Sequence, residues 1–195
     1  MSSAHRACTV TALSCLLLVS SIHQARAGVI HGMSGMLDIS GTLHNTPCAL
    51  DMSSAYQDVD LGSVARSQLQ RPGDQATPVA FQLRFVDCQR ASGSLQSERT
   101  GNLVWSASQP VVSVAFVAPA DADDPRLVKV QGVTGMGLLL TDALGRDAAL
   151  GNRGEPLFLQ HGNDTLTWHV QPVRTSAVLS NGAFQAAVDF RLVYE

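Results

Sequence analysis

An antiparallel β-sandwich is the fold that this 195-residue sequence predicts. Many short stretches alternate apolar and polar residues with a period of two, the signature of half-buried strands. Gly, Pro, Asn and Asp clusters separate them, and no helical period lies between. The chain is long enough for one good core, and two would be cramped.

The clearest alternations can be taken in chain order. In Leu37-Asp38-Ile39-Ser40-Gly41-Thr42-Leu43 the odd positions are apolar or Gly and the even ones polar. Val79 to Phe85 repeats that pattern, with Val79, Phe81, Leu83 and Phe85 inward. Val111–Val117 is apolar on both faces apart from Ser113 and small Ala115, which predicts a central strand. Leu138-Leu139-Leu140 predicts another buried strand, entered through Gly135-Met136-Gly137. Leu166, Trp168 and Val170 alternate with Thr165, Thr167 and His169. At the end of the chain Phe184, Ala186, Val188, Phe190, Leu192 and Tyr194 share one predicted face. Turn signals fall at 71–74, 119–125, 144–147, 161–164 and 180–182. The polar stretch Gln89–Gln109 predicts a long surface loop with a short strand at Leu103-Val104-Trp105.

Composition excludes several classes. The net charge is −3 and Lys129 is the single lysine, so neither a nucleic-acid footprint nor a lysine-rich membrane-surface face is present. The 45% hydrophobic content argues against disorder, and no heptads suggest a coiled coil. Residues 1–27 read as a cleaved secretory signal: Arg6, then an apolar run to Val19, then Ala25-Arg26-Ala27. A lipid-attachment signal at Cys15 fits worse, because most of the apolar run follows that cysteine. Cleavage removes Cys8 and Cys15 and leaves Cys48 and Cys88 in an oxidising compartment, where one disulfide is the default. Its closed loop of about 41 residues is worth roughly 4 kcal/mol on the chain-entropy model. A metal site is the alternative, but no Cys-x-x-Cys or His pair accompanies the two cysteines.

No catalytic constellation stands out, and no cofactor is implied. His31, His44, His161 and His169 lack paired metal-ligand spacing and are expected to be solvated. No G-x-S-x-G elbow or Walker loop occurs. Asp121, Asp123 and Asp124 lack the calcium-loop order and predict a solvated acidic turn. Asn163-Asp164-Thr165 is a glycosylation sequon only in a glycosylating host and otherwise a turn. Trp105 and Trp168 are candidate ligand platforms, although Trp168 follows the alternation and is expected in the core.

Five blocks in order carry a family resemblance. They are Gly35–Leu43 leading to Cys48-Ala49-Leu50-Asp51; Val59-Asp60-Leu61-Gly62-Ser63-Val64; Phe81-Gln82-Leu83 with Asp87-Cys88; Gly135-Met136-Gly137-Leu138 with Thr141-Asp142-Ala143-Leu144-Gly145; and a closing segment with Gly182 fourteenth from the end and Tyr194 penultimate. Together they resemble the type 1-like pilins, the fimbrial subunits of the chaperone–usher pathway.

The resemblance implies an incomplete immunoglobulin-like antiparallel β-sandwich that lacks its final strand, with residues 44–195 as the pilin domain. It implies a donor-strand extension at residues 28–43, with Leu37, Ile39, Gly41 and Leu43 entering a neighbour's groove. An even register would bury Asp38, Ser40 and Thr42 instead, at a desolvation cost. Gly182, Phe184, Ala186, Val188, Phe190, Leu192 and Tyr194 are the implied acceptor groove and chaperone contact. The implied partners are neighbouring subunits, a periplasmic chaperone, an outer-membrane usher and, through the fimbria, a host-surface receptor. The implied route runs through the periplasm to the cell surface. Two features depart from the pattern: Gln89–Gln109 is longer than expected and reads as a tolerated insertion, with a partner contact as the alternative, and Glu195 follows the tyrosine. Competing readings are a secreted, self-complete binding module and a minor or terminating subunit. A tip adhesin would need a lectin domain for which the chain is too short. A secreted hydrolase would need a nucleophile–base pair that is not visible.

Overall fold

The computed structural model of the chain describes residues 37–40 and 46–194. The chain divides after Leu43 into two units. In the first, residues 37–40 carry no regular secondary structure and all four are exposed. The predicted signal at 1–27, and Gly41 and Leu43, lie outside the described residues.

The second unit is almost entirely β. Its elements are β1 (Ala49–Leu50), α1 (Met52–Ala55), a 3₁₀ turn (Arg66–Gln68), β2 (Val79–Cys88), β3 (Gly93–Gln96), β4 (Leu103–Ser106), β5 (Val111–Val117), β6 (Val128–Lys129), β7 (Met136–Asp142), β8 (Leu157–Phe158), β9 (Gly162–Arg174) and β10 (Asp189–Tyr194). One sheet has the order β1-β2-β9-β7-β6, a second β10-β5-β8, and β3 pairs with β4. Every pairing is antiparallel.

The alternation read in β2 points where it should. Leu83 and Phe85 are fully buried, whereas Ala80, Gln82 and Arg84 are exposed. Trp168 on β9 is core, as its alternation predicts. Phe116 of β5 meets Trp168 edge-on at 4.8 Å and Phe81 of β2 at 6.0 Å, so three aromatic rings join the two sheets. The turn expected at 161–164 is shorter than predicted, because β9 already begins at Gly162.

Cys48 and Cys88 form a disulfide, 40 residues apart in sequence. It lies beside a register shift in β2 between Phe85 and Cys88, where Asp87 adopts a left-handed φ of 54°. An aspartate tolerates that conformation better than most residues, which suits a bulge. The Gln89 amide donates to the Pro47 carbonyl at 2.8 Å and ties the same strands together. Reduction, or paired Cys48→Ser and Cys88→Ser substitution, should cost about 4 kcal/mol. Denaturant melts with and without reductant measure it.

The stretch Gln89–Gln109 corrects the expectation of a surface loop with one strand. It folds as a β-hairpin, β3–β4, that packs against β5 and β10. Leu95 is fully buried, yet it lies outside the main core, as do Val111 and Ala115 on the other side of β5 from Phe116. The hairpin is therefore a third layer over the outer side of the smaller sheet. Gly93 permits the approach, since a Cβ there would come within 2.6 Å of the Val111 nitrogen.

The acidic turn is also better anchored than predicted. Asp123 accepts from the Ala177 amide at 2.7 Å, and Asp124 pairs with Arg126 at 2.6 Å. The Ala177 amide and the Ser176 hydroxyl hold the Asp123 carboxyl below its ordinary value. The side chain thus stitches this turn to the 175–177 loop.

Candidate functional site

The edges of the two sheets differ in how they are closed. The outer side of β2 is occupied: the Asp51 amide donates to the Arg84 carbonyl at 2.9 Å, the Arg84 amide to Ser54 Oγ at 2.9 Å, and Gln57 Nε2 to the Gln82 carbonyl at 2.9 Å. The outer side of β6 is covered by an Ala120–Val128 bridge and by the Lys129 amide on the Pro119 carbonyl at 2.8 Å. β8 is only two residues long, a common way of blunting an edge. β10 is different. It pairs with β5 over six residues, Asp189 with Val117 through Tyr194 with Val112, and has no ladder partner on its other side among the described residues.

The side chains on this edge are apolar and only partly covered. Phe190, Leu192 and Tyr194 lie opposite Phe116, Val114 and Val112, all three buried on the inner face of β5. Phe190, Leu192 and Tyr194 themselves are half-buried against the core, as are Phe184 and Val188. Each therefore keeps apolar surface in water beside an unpaired backbone edge.

The strand is shorter than the sequence predicts. Alternation runs from Phe184, but pairing begins at Asp189. Continuing the register would set Ala187 against Pro119, whose nitrogen has no proton to donate. Upstream, the chain instead crosses to the other sheet, where Gln185 and Gln131 exchange backbone hydrogen bonds of 2.8 and 3.1 Å. Ala186 and Gly182 are exposed in this crossing segment, away from the predicted common face. The approach relies on glycine. A Cβ on Gly132 would lie 2.2 Å from the Ala183 carbonyl oxygen, and one on Gly135 would lie 2.7 Å from the Leu179 backbone, with φ of +96° and +80°. Gly132, together with Gly135 of the Gly-Met-Gly block, thus makes room for the segment that leads into β10.

Tyr194 carries a specific electrostatic feature. Its hydroxyl is buried without a hydrogen-bond partner, and burial pushes its pKa up to about 12. Stability from this group is full below the ordinary tyrosine value near 10. It is lost as pH rises through about 12, because the unfolded chain ionises first. The Tyr194→Phe variant should be no less stable at pH 7 and should lack that alkaline decline. Denaturant midpoints at pH 8 and pH 11 provide the comparison.

Against known proteins, the family model described as fimbrial protein matches residues 37–195. The chain belongs to this family. The fimbrial protein is 28% identical to the long polar fimbria protein A of Salmonella typhimurium, over 95% of its own length and 96% of the relative's. It is 26% identical to the Pap fimbrial major pilin protein of Escherichia coli, covering 83% and 84% of the two chains. Among solved structures it resembles the P pilus rod subunit PapA, with a TM-score of 0.61 and 25% identity over 77% of this chain and 100% of that one. A chaperone–usher pilus structure matches with a TM-score of 0.63 and 25% identity, over 87% and 100%. The sandwich of this fimbrial protein is thus the immunoglobulin-like pilin fold.

The described part of the predicted donor segment places Leu37 and Ile39 in solvent, 81% and 86% exposed. His161, expected to be solvated, brings Nδ1 within 2.8 Å of the Cys88 carbonyl. Sequence reasoning weighed Trp105 as a platform but missed the hairpin that displays it. Trp105 and Leu103 are 65% and 62% exposed.

Proposed function

We propose that this fimbrial protein is a structural subunit of a chaperone–usher fimbria, and that it polymerises by donor-strand exchange in support of cell adhesion. The observation that carries the reading is the outer edge of β10, which has no ladder partner among the described residues and is flanked by the half-buried Phe190, Leu192 and Tyr194. An unpaired edge beside apolar side chains is an aggregation hazard unless another strand covers it. Strand addition supplies main-chain hydrogen bonds along the edge and pockets for alternate side chains.

In this reading residues 1–27 direct export and are removed. Residues 28–43 are the donor, with Leu37, Ile39, Gly41 and Leu43 entering the groove of the next subunit. Each large apolar side chain so buried is worth roughly 1.5–3 kcal/mol before ordering costs. Residues 44–195 are the acceptor domain. Phe184, Val188, Phe190, Leu192 and Tyr194 are the apolar floor, while Gly182 and Ala186 belong to the entry of the groove. A periplasmic chaperone covers the edge first, and exchange takes place at the outer-membrane usher. The route ends at the cell surface, and a receptor would be met through the assembled fimbria. The family is one of structural pilins, and the proposed role calls for no cofactor.

The test is assembly in cells that supply the chaperone and usher. The full chain should yield surface fibres under the electron microscope. The chain lacking residues 28–36 and carrying Leu37→Asp should accumulate as a chaperone complex without fibres. Normal fibres from that variant would overturn the reading.

A further inference from the structure

We propose that the outward face of the β3–β4 hairpin is a lateral contact between copies of this chain within the polymer, with Trp105 and Leu103 at its centre. The inference rests on the proposed function, because it takes the polymer as given. The register sets Ser94 opposite Trp105 and Gln96 opposite Leu103, so these four side chains share one face. Leu95 and Val104 point the other way, toward the body. A period-two strand placed on a surface normally turns its large apolar residues inward. Here β4 does the reverse, leaving a tryptophan and a leucine side by side in water.

The hairpin is held rigidly. Glu98 in its turn pairs with Arg153 at 2.6 Å, and the Arg153 amide also donates to Glu98 at 3.2 Å. Arg99 donates to the Asp147 carbonyl at 2.6 Å and lies 3.5 Å from Glu155. The Arg153 guanidinium and amide hold the Glu98 carboxyl below its ordinary value. Anchoring from both sides of the turn reduces the loop entropy that remains to be lost on contact.

Two observations select a second copy as the occupant. The first is charge. The chain is acidic overall, with a net charge of −3, yet neither strand of the hairpin carries a charged residue. Identical acidic copies approach at least electrostatic cost on such a neutral apolar face. The second is size. Two side chains about two-thirds exposed offer on the order of 300 Å². A stable pair of free proteins needs about 800 Å² on each side. The patch is therefore too small to dimerise free subunits, but it suffices where tethering in a polymer raises the effective concentration to about the millimolar range. The hairpin packs on β5 through both strands and on β10 through β3, so it sits on the sheet whose outer edge is the proposed acceptor.

The test uses fibres assembled from the full chain and, as reference, subunits capped by a peptide of residues 28–43. Trp168 is buried, so acrylamide quenching of tryptophan fluorescence reports Trp105 in both states. The expected result is that quenching falls severalfold on assembly. In addition, fibres of Trp105→Ala and Leu103→Ser variants should form but appear thinner and less regular. Near-unchanged melts of the capped variants would show that the hairpin still folds. Equal quenching in fibre and capped subunit would overturn the inference while leaving the fibre reading intact. So would wild-type fibre dimensions in both variants, or glycan binding lost in Trp105→Ala with the fibre unaltered. Absence of fibres from the wild-type chain would instead defeat the proposed function, and this inference with it.

Discussion

Replacing Phe116 by alanine should destabilise the peptide-filled subunit by about 3–5 kcal/mol. The side chain is 2% exposed and stands where the two sheets meet. Its ring is edge-on to Trp168 at 4.8 Å and to Phe81 at 6.0 Å. Truncation removes the transferred apolar area, two aromatic pairings worth about 0.5–1.5 kcal/mol each, and the filling of a space that rigid strands cannot close. Phe190 lies opposite Phe116 in the register, so the floor of the proposed acceptor groove would lose its support as well. Domains of this kind have about 5–15 kcal/mol in total, so the uncapped subunit should not accumulate. Guanidinium melts of the capped form read the loss, with Val117→Ala on the partly exposed end of β5 as the mild comparison.

The second large effect is on assembly. Leu37→Asp or Ile39→Asp should leave the sandwich folded and abolish polymerisation. Both side chains are almost wholly in solvent in this chain, so an aspartate there costs its own fold little. In the proposed groove the same aspartate would enter an apolar site with no cation described on β10 among Phe190, Leu192 and Tyr194, and Arg191 faces the opposite side. Burying an unpaired carboxylate is far more costly than the roughly 1.5–3 kcal/mol gained by the aliphatic residue it replaces. Size-exclusion chromatography of chaperone-bound subunits, incubated together, distinguishes complexes that persist from chains that form. The Ser40→Asn variant, on the other face of the proposed donor strand, should polymerise normally.

How much of this was legible in the sequence depended on what each feature rests on. Strands β2, β5, β7 and β9 were visible because their burial alternates with, or saturates, the pattern of their own side chains. The true length of β10 was not. It is set by Pro119, just past the end of β5, which a reading of residues 184–194 does not contain. The β3–β4 hairpin was hidden for a related reason. Its inward face is Gly93 and Leu95 with Val104, too few apolar positions to signal a strand pair, and its most apolar residues face outward. The anchoring of Asp123 was equally out of reach, since its partner Ala177 is 54 residues away. That β10 has no ladder partner on its outer side among the described residues is a matter of topology, which leaves no mark on the strand itself. That expectation came through family resemblance, carried by the cysteine spacing, the glycine blocks and the penultimate Tyr194.

The central claim is that the β10 edge is an open site filled in trans by a donor strand. The most direct measurement is a complementation melt. The chain without residues 28–43, held by the proposed periplasmic chaperone, is mixed with a synthetic peptide of those residues, and complex formation and thermal stability are followed. The account predicts displacement of the chaperone and a large rise in melting temperature, abolished when the peptide carries Leu37→Asp or Ile39→Asp. A domain that is already stable once the chaperone is removed, and that ignores the peptide, would contradict it.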